Sequence, residues 1–157
     1  MSTNSRIAVM HGTVCKSIYC HWDGYLAHNG AILQEHYDSS KTNQLVALGD
    51  LSSLRPNIGE KHAFSQFELP KEEVEVFKAL TEDMCTFYGR DRGETGVEWK
   101  VSQTFEEFLD QCNHCGAEYY YVMENGQWYY GSMHERDPFY KRLVLLSEAL
   151  ESEAVEA

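Results

Sequence analysis

The fold is set by residues 6–22, RIAVMHGTVCKSIYCHW, in which two strand-like segments flank one turn. Residues 6–10 and 14–22 are rich in β-branched, aromatic and apolar side chains, and residues 11–13 contain a glycine. Two such segments joined by a short glycine-containing turn are typical of an antiparallel hairpin. We therefore expect the chain to begin with a β-hairpin.

Side chains of the second strand alternate between two faces. The apolar face is the expected core face, and it carries Ile18, Cys20 and Trp22. The opposite face carries a polar row: Tyr19, His21 and Asp23. A histidine that titrates near neutrality favours a functional role for this row, and the alternative is the solvated face of a sheet.

Helical and strand patterns alternate over the rest of the chain. We expect helices over residues 29–37, 39–48, 72–80, 104–115 and 138–150, and strands over residues 84–88, 97–101, 118–124 and 127–132. The last two strands flank Asn125-Gly126, which predicts a type I′ turn. Residues 55–69 and 89–96 are expected to be loops.

This order of elements predicts an α+β fold, with a mainly antiparallel sheet built from hairpins and helices packed on it. The length of 157 residues fits a single domain, and residues 1–5 and 148–157 are expected to be frayed tails. The chain has no apolar run of membrane-spanning length and no signal-peptide pattern, so we expect no membrane association.

The chain is acidic, with 13 Lys and Arg against 25 Asp and Glu and a formal net charge of −12. Such a charge argues against binding duplex nucleic acid through its phosphates. It favours simple solubility, and the alternative is a surface that imitates DNA or docks on a basic partner.

The five cysteines are an odd number without a secretory signal, which favours reduced thiols. Cys112 and Cys115 have the spacing of metal ligands, but zinc needs about four ligands. Cys85 or His134 would have to complete the set. Two ordinary thiols are the preferred interpretation, and no cofactor is expected.

Residues 89–96, GRDRGETG, place Arg90 and Arg92 on the expected loop, where arginine can bind phosphate or carboxylate. Alternatively, Asp91 and Glu94 neutralise both arginines in a structural network, or the loop contacts a protein.

We hypothesise that this loop and the end of the hairpin converge on one pocket for an anionic ligand with a ring. Arg90 and Arg92 would contact a phosphate, and Trp22, Tyr25 or Tyr88 the ring. The candidate ligand-binding residues are Tyr19, His21, Asp23, Tyr25, Tyr88, Arg90, Arg92 and Glu94.

Catalysis would need His21 as a general base, oriented by Asp23 or Asp50, with Arg90 holding an anion. The sequence contains no nucleophile elbow and no zinc-protease or kinase motif. We therefore expect a binding protein rather than an enzyme.

Two blocks, IYCHWDGY at residues 18–25 and YGRDRGE at residues 88–94, resemble a family of small proteins encoded by tailed bacteriophages and some prophages. The resemblance extends over about residues 6–132. Arg6 corresponds to an N-terminal arginine of the family, and Leu26 stands where relatives usually have proline. The resemblance implies no particular activity.

The resemblance does imply an accessory role in the cytoplasm of an infected or lysogenic bacterium, where the protein would alter a host process or blunt a defence system. The expected partner is a host protein or a small phosphorylated ligand. The alternatives are a small acid–base enzyme acting on a nucleotide-like substrate and an acidic DNA-mimic inhibitor.

Overall fold

The N-terminal hairpin is confirmed. In the computed structural model, which describes residues 2–156, β1 (Ser5–His11) pairs antiparallel with β2 (Val14–Cys20). Gly12 occupies the turn with a φ of 65°. Met1 and Ala157, the outermost residues of the two expected tails, lie outside the described residues.

Eight strands form one mixed sheet. The other strands are β3 (Leu51–Ser53), β4 (Thr86–Phe87), β5 (Lys100–Ser102), β6 (Tyr119–Glu124), β7 (Gln127–Ser132) and β8 (Val144–Leu145). Their order is β4-β3-β2-β1-β6-β7-β8, and β5 pairs with β2. The β1–β6 and β2–β3 pairs are parallel and the other pairs are antiparallel, so the expected α+β class with a mainly antiparallel sheet is confirmed.

Six α-helices accompany the sheet in the described part of the chain. They are α1 (Ala31–His36), α2 (Ser39–Ala47), α3 (Val74–Thr81), α4 (Tyr88–Arg92), α5 (Phe105–His114) and α6 (Leu146–Glu156). A π-helical turn (Leu26–Gly30) precedes α1, and 3-10 turns (Gln66–Glu68 and Lys71–Glu73) precede α3. The start of α5 is capped as expected, because the Thr104 hydroxyl accepts a hydrogen bond from the Glu107 N–H at 3.1 Å.

A hydrophobic core lies on each face of the sheet. On one face, α5 buries Phe108 against Ala8 and Tyr120. On the other face, α1, α2 and α6 pack their leucines on Ile7 and Tyr121. Two adjacent strands of the sheet therefore contribute side chains to both cores, which fixes the central strands firmly.

The secondary structure predicted from the sequence is wrong in two places. Residues 88–92 form α4 instead of opening a loop, because the buried Asp91 carboxylate accepts the Phe87 N–H at 2.8 Å and secures the turn. Residues 138–143 are not helical: the Asp137 carboxylate accepts the Phe139 N–H, Lys141 has a φ of 54°, and the chain then enters β8.

The two ends of the chain, which were expected to be frayed tails, also differ from that expectation. Strand β1 already begins at Ser5, and Asn4 accepts a backbone hydrogen bond from Glu118 at 2.8 Å. Helix α6 continues to Glu156, so residues 148–156 are helical instead of frayed.

Candidate functional site

The polar row of β2 is shorter than expected. The strand ends at Cys20, although the His21 N–H still donates to the Leu51 carbonyl at 3.0 Å. Asp23 then adopts a φ of 55°, so it leaves the row. Tyr19 and His21 remain together, with the Tyr19 hydroxyl 2.7 Å from His21 Nδ1.

Trp22 is not a core residue. It lies beyond the end of β2, its side chain is exposed, and its ring meets the edge of His21 at 4.6 Å between ring centroids. The expectation that Trp22 shares the core face with Ile18 and Cys20 is therefore wrong, because the strand alternation stops before it reaches this residue.

Asp50 joins the two sequence blocks. Its carboxylate accepts the Tyr19 N–H at 2.9 Å, and its carbonyl accepts the Tyr88 N–H at 3.2 Å. Its own N–H donates to the Val97 carbonyl at 2.8 Å. We call Tyr19, His21, Asp50 and Tyr88 the Asp50 cluster. Asp50 therefore connects the two sequence blocks through the backbone N–H groups of Tyr19 and Tyr88.

Gly49 makes this arrangement possible. Its φ is 87°, in the left-handed region, and a Cβ at this position would lie 2.5 Å from the Val97 carbonyl oxygen. Only glycine combines this conformation with so close an approach of two backbones. Gly49 also follows the end of α2, where its N–H donates to the Val46 carbonyl at 3.1 Å.

Arg90 is held inside the protein. Its guanidinium donates to both oxygens of Asp91 at 2.9 and 3.2 Å, and to the carbonyls of Ile58 and Cys85 at 2.9 Å each. The Asp91 side chain is fully buried and also accepts the His62 N–H. These contacts favour the structural network over anion binding for Arg90.

Arg92 is half-exposed and is also paired. It lies 2.7 Å from the Glu94 carboxylate, and its guanidinium covers the Phe64 ring at 4.4 Å. It also lies 5.4 Å from the Tyr88 ring centroid. Both arginines of the YGRDRGE block thus have partners within the chain, and Arg92 is the more accessible of the two.

A cavity of about 340 Å³ opens beside α5, on the same sheet face as Tyr19. We call it the Arg6 pocket, and it is lined by Arg6, Lys100, Asp110, Gln111, His114 and Cys115. Arg6 is only 2% exposed. It is a lone charged residue in the apolar stretch RIAVM, which is the sequence signal that could have found this site.

The Arg6 guanidinium has an unusual set of partners. Nε donates to the Ser17 hydroxyl at 3.0 Å, Nη2 to the Ser17 carbonyl at 3.1 Å, and Nη1 to Cys115 Sγ at 3.8 Å. Among residues 2–156, no carboxylate lies within 4.0 Å of it. A buried guanidinium without a carboxylate is costly unless something else compensates its charge.

The Arg6 pocket and the Asp50 cluster are electrostatically coupled. Burial raises the pKa of Asp50 above its ordinary value. The Tyr19 N–H lowers this pKa in part, and so do the positive charges of Arg6 and Lys100. Burial also raises the pKa of Tyr19, and the nearby Tyr88 and Cys115 raise it further. Arg6 and Tyr19 are also direct cross-strand partners in the β1–β2 pair, so the two sites are neighbours on one face of the sheet.

Cys112 and Cys115, the expected candidates for metal binding, lie at the C-terminal end of α5. Cys112 is buried in the core beneath α5, where burial raises its pKa, and Cys115 Sγ lies 3.5 Å from the Cys112 carbonyl. All five cysteines are free. Within residues 2–156, no group of three or more His, Cys, Asp or Glu side chains is arranged to hold a metal ion.

Besides Arg90 and Arg92, three further expected site residues lie apart from this region or are committed elsewhere. Tyr25 lines a different cavity, Asp23 is turned out of the strand, and Glu94 pairs with Arg92.

The described residues include no helix with the length and apolar character of a membrane span.

Comparison with protein-family models, with curated proteins and with solved structures finds no match for this chain. The chemistry of its own side chains is therefore the basis for assigning a function.

Proposed function

We propose that the protein binds a small phosphorylated ligand in the Arg6 pocket, and that it acts by binding rather than catalysis. The observation that carries the proposal is the buried Arg6 guanidinium, which borders a cavity and has no carboxylate within 4.0 Å among residues 2–156. An anion in the cavity would supply the missing countercharge.

Arg6 retains donors for such an anion. A guanidinium carries five N–H groups, and three of them are used by Ser17 and Cys115. Two N–H groups remain, which is the number that a bidentate bond to a phosphate requires.

The surroundings make the pocket locally positive on an acidic protein. Lys100 and His114 are exposed at the wall of the pocket, and Asp110 is the one carboxylate among the residues that line it. The volume of about 340 Å³ is at the lower end of the range for ligand pockets, roughly 300–1,000 Å³. This size favours a small ligand over a polyanion.

The acid–base alternative is less well supported. The Tyr19 hydroxyl and His21 Nδ1 are hydrogen-bonded to each other, while the Asp50 carboxylate accepts the Tyr19 backbone N–H. Asp23 has left the strand. Among the described side chains, His21 thus has neither of the proposed carboxylates as a hydrogen-bond partner, which favours binding.

The resemblance to bacteriophage proteins supplies the biological setting of the proposal. A phage-encoded protein that holds a phosphorylated small molecule would withdraw it from a host process or a defence system. The host cytoplasm is where such a ligand would be met.

A host protein partner is the second candidate, and the region around α3 favours it. Phe67, Val76 and Leu80 are 88%, 61% and 64% exposed, and five acidic residues flank them: Glu68, Glu72, Glu73, Glu75 and Glu82. The fitting partner has an apolar groove with a basic rim. It should bind the native chain and not V76S/L80S, with affinity falling at high salt.

The experiment for the ligand proposal is calorimetric titration with inorganic phosphate, pyrophosphate and AMP. Binding of at least one probe by the native protein, and its loss in Arg6→Met, is expected. Arg92→Gln is the matched control, because it removes an exposed arginine away from the Arg6 pocket. Equal binding by Arg6→Met, or loss in Arg92→Gln alone, would refute the proposal.

A further inference from the structure

A second cavity, of about 350 Å³, lies on the sheet face covered by α6. We call it the Tyr130 cavity, and its chemistry is set by Tyr25, Tyr119, Tyr130, Phe139, Asp137 and Glu153. Tyr119 packs against the core of this face, whereas Arg6 contacts Cys115 on the α5 side. The two cavities are therefore separated by the sheet.

Aromatic rings form the walls of the Tyr130 cavity. Tyr119 and Tyr130 stack with their ring centroids 6.0 Å apart and their planes at 22°. Phe139 meets Tyr130 at 5.6 Å and 69°, so ring surfaces border the cavity in two orientations. Tyr25 stands at the opening with 42% of its surface exposed. Tyr130 is buried beneath these rings, and Tyr25, Tyr119 and Phe139 are the rings that keep exposed surface beside the cavity, where ring faces carry negative charge density.

Two carboxylates complete the walls, and no Lys, Arg or His belongs to the residues that line the cavity. Asp137 Oδ1 accepts the Phe139 N–H at 2.8 Å. Within residues 2–156, neither Asp137 nor Glu153 has a basic group within 4.0 Å. Both carboxylates line the same cavity as the Tyr130 ring. Burial raises the pKa of Tyr130, and the negative charges of Asp137 and Glu153 raise it further.

From this combination we infer that the Tyr130 cavity binds an alkylated ammonium group. Aromatic faces attract a cation within about 6 Å of the ring centroid, and the carboxylates supply the countercharge. The walls are mostly aromatic and apolar, so they suit methyl groups better than the strongly hydrated ammonium of lysine. Charge complementarity and ring geometry both favour this ligand class.

The inference is independent of the proposed function, because its residues lie across the sheet from Arg6. The direct test is a titration followed by NMR, with choline as the cation and 3,3-dimethylbutan-1-ol as a neutral molecule of the same shape. Choline should bind at least fivefold more tightly than the alcohol, and its affinity should fall as salt is added. Equal binding of the two molecules, or binding of neither, overturns the inference.

Two substitutions test whether choline binds in the Tyr130 cavity. Phe139→Leu and Glu153→Gln should each weaken choline binding at least threefold, since they remove one ring and one exposed carboxylate. Tyr129→Leu is the matched control, because Tyr129 packs with the core on the α5 face. Unchanged choline affinity in both Phe139→Leu and Glu153→Gln, or a loss in Tyr129→Leu alone, contradicts the placement. Choline binding should survive Arg6→Met, which separates this inference from the proposed function.

The same chemistry occurs in a free cation and in a methylated lysine of a peptide. A parallel titration with N-acetyl-trimethyllysine methylamide separates these sources. Tighter binding of choline assigns the cavity to a free small molecule, and tighter binding of the lysine derivative assigns it to a peptide side chain. Either result supports the ammonium site, and failure of both probes removes it.

Discussion

Arg6 is buried and the Arg90 side chain is only 13% exposed, and their surroundings differ in one decisive respect. Arg90 lies 2.9 Å from the fully buried carboxylate of Asp91. Arg6 donates to Ser17 and Cys115 instead, and no carboxylate of residues 2–156 lies within 4.0 Å of it. One arginine therefore completes a structural ion pair, and the other directs its charge toward a cavity.

This difference predicts that the same substitution changes the free energy of unfolding much more at Arg90 than at Arg6. Arg90→Met should lower the free energy of unfolding by about 3–5 kcal/mol, because it leaves Asp91 buried and uncompensated. Arg6→Met should change it by less than about 1.5 kcal/mol in either direction, because it removes an uncompensated charge at similar volume. Urea denaturation of both variants measures this. A larger loss in Arg6→Met than in Arg90→Met would contradict the assignment.

Asp50 gives a prediction for pH dependence. Its pKa is raised in the folded protein above the ordinary 3.8, so the folded state holds this proton to higher pH than the unfolded state does. The stability that Asp50 contributes is therefore greatest below pH 3.8 and is lost as the pH rises through the folded pKa.

Asp50→Asn keeps an oxygen for the Tyr19 N–H and removes the charge, so it should raise stability at pH 7 relative to the native protein, with little or no gain at low pH. Asp83→Asn, on the exposed surface, is the control and should show no such difference. Denaturant melts at a series of pH values test this, and a constant difference between Asp50→Asn and the native protein would be the contrary result.

Gly49 and Gly96 form a matched pair for backbone strain. Both have positive φ, 87° and 77°, and only Gly49 would bring a Cβ into contact, 2.5 Å from the Val97 oxygen. Gly96→Ala should cost about 1–2 kcal/mol through its conformation alone. Gly49→Ala should cost clearly more, because the backbones must also separate. Similar Tm values for the two variants would show that the Gly49–Val97 contact is not tight.

Cys115 provides a chemical probe of the Arg6 pocket. It is the one half-buried cysteine among the five, and the others are buried. Iodoacetamide should therefore modify Cys115 first in the native protein, and peptide mass mapping identifies the site. Pyrophosphate in the pocket should slow this modification. Unchanged labelling at a saturating concentration of a bound probe would place the anion elsewhere.

Local signals predicted the local structure well. The hairpin at residues 5–20 is confirmed, and the Asn125-Gly126 turn has the two positive φ values, 51° and 77°, of a type I′ turn. The helix expected over residues 104–115 is confirmed as α5, which Thr104 caps at its start and which Gly116, with a φ of 72°, follows at its end. In each case the determining contacts lie within a few residues of one another.

Contacts between residues far apart in the chain explain why helix α4 and the Arg6 pocket were not predicted from the sequence. Helix α4 depends on Asp91, whose carboxylate also accepts the His62 N–H from 29 positions earlier in the chain, and that bond leaves no mark in the local pattern. Likewise, Arg6 gains its role from Cys115, which lies 109 positions further along the chain. Asp50 connects the two sequence blocks, with its carboxylate on the Tyr19 N–H and its carbonyl on the Tyr88 N–H, and the common pocket of the hypothesis stays a prediction.

The side-chain N–H signals of Arg6 report directly on its proposed role as an anion-binding group. In ¹⁵N-resolved NMR of the native protein, titration with pyrophosphate should shift the Arg6 Nε–H resonance while the Arg90 resonance stays in place. A titration that moves Arg92 and leaves Arg6 unchanged, or that moves no arginine signal up to millimolar probe, would contradict the central claim.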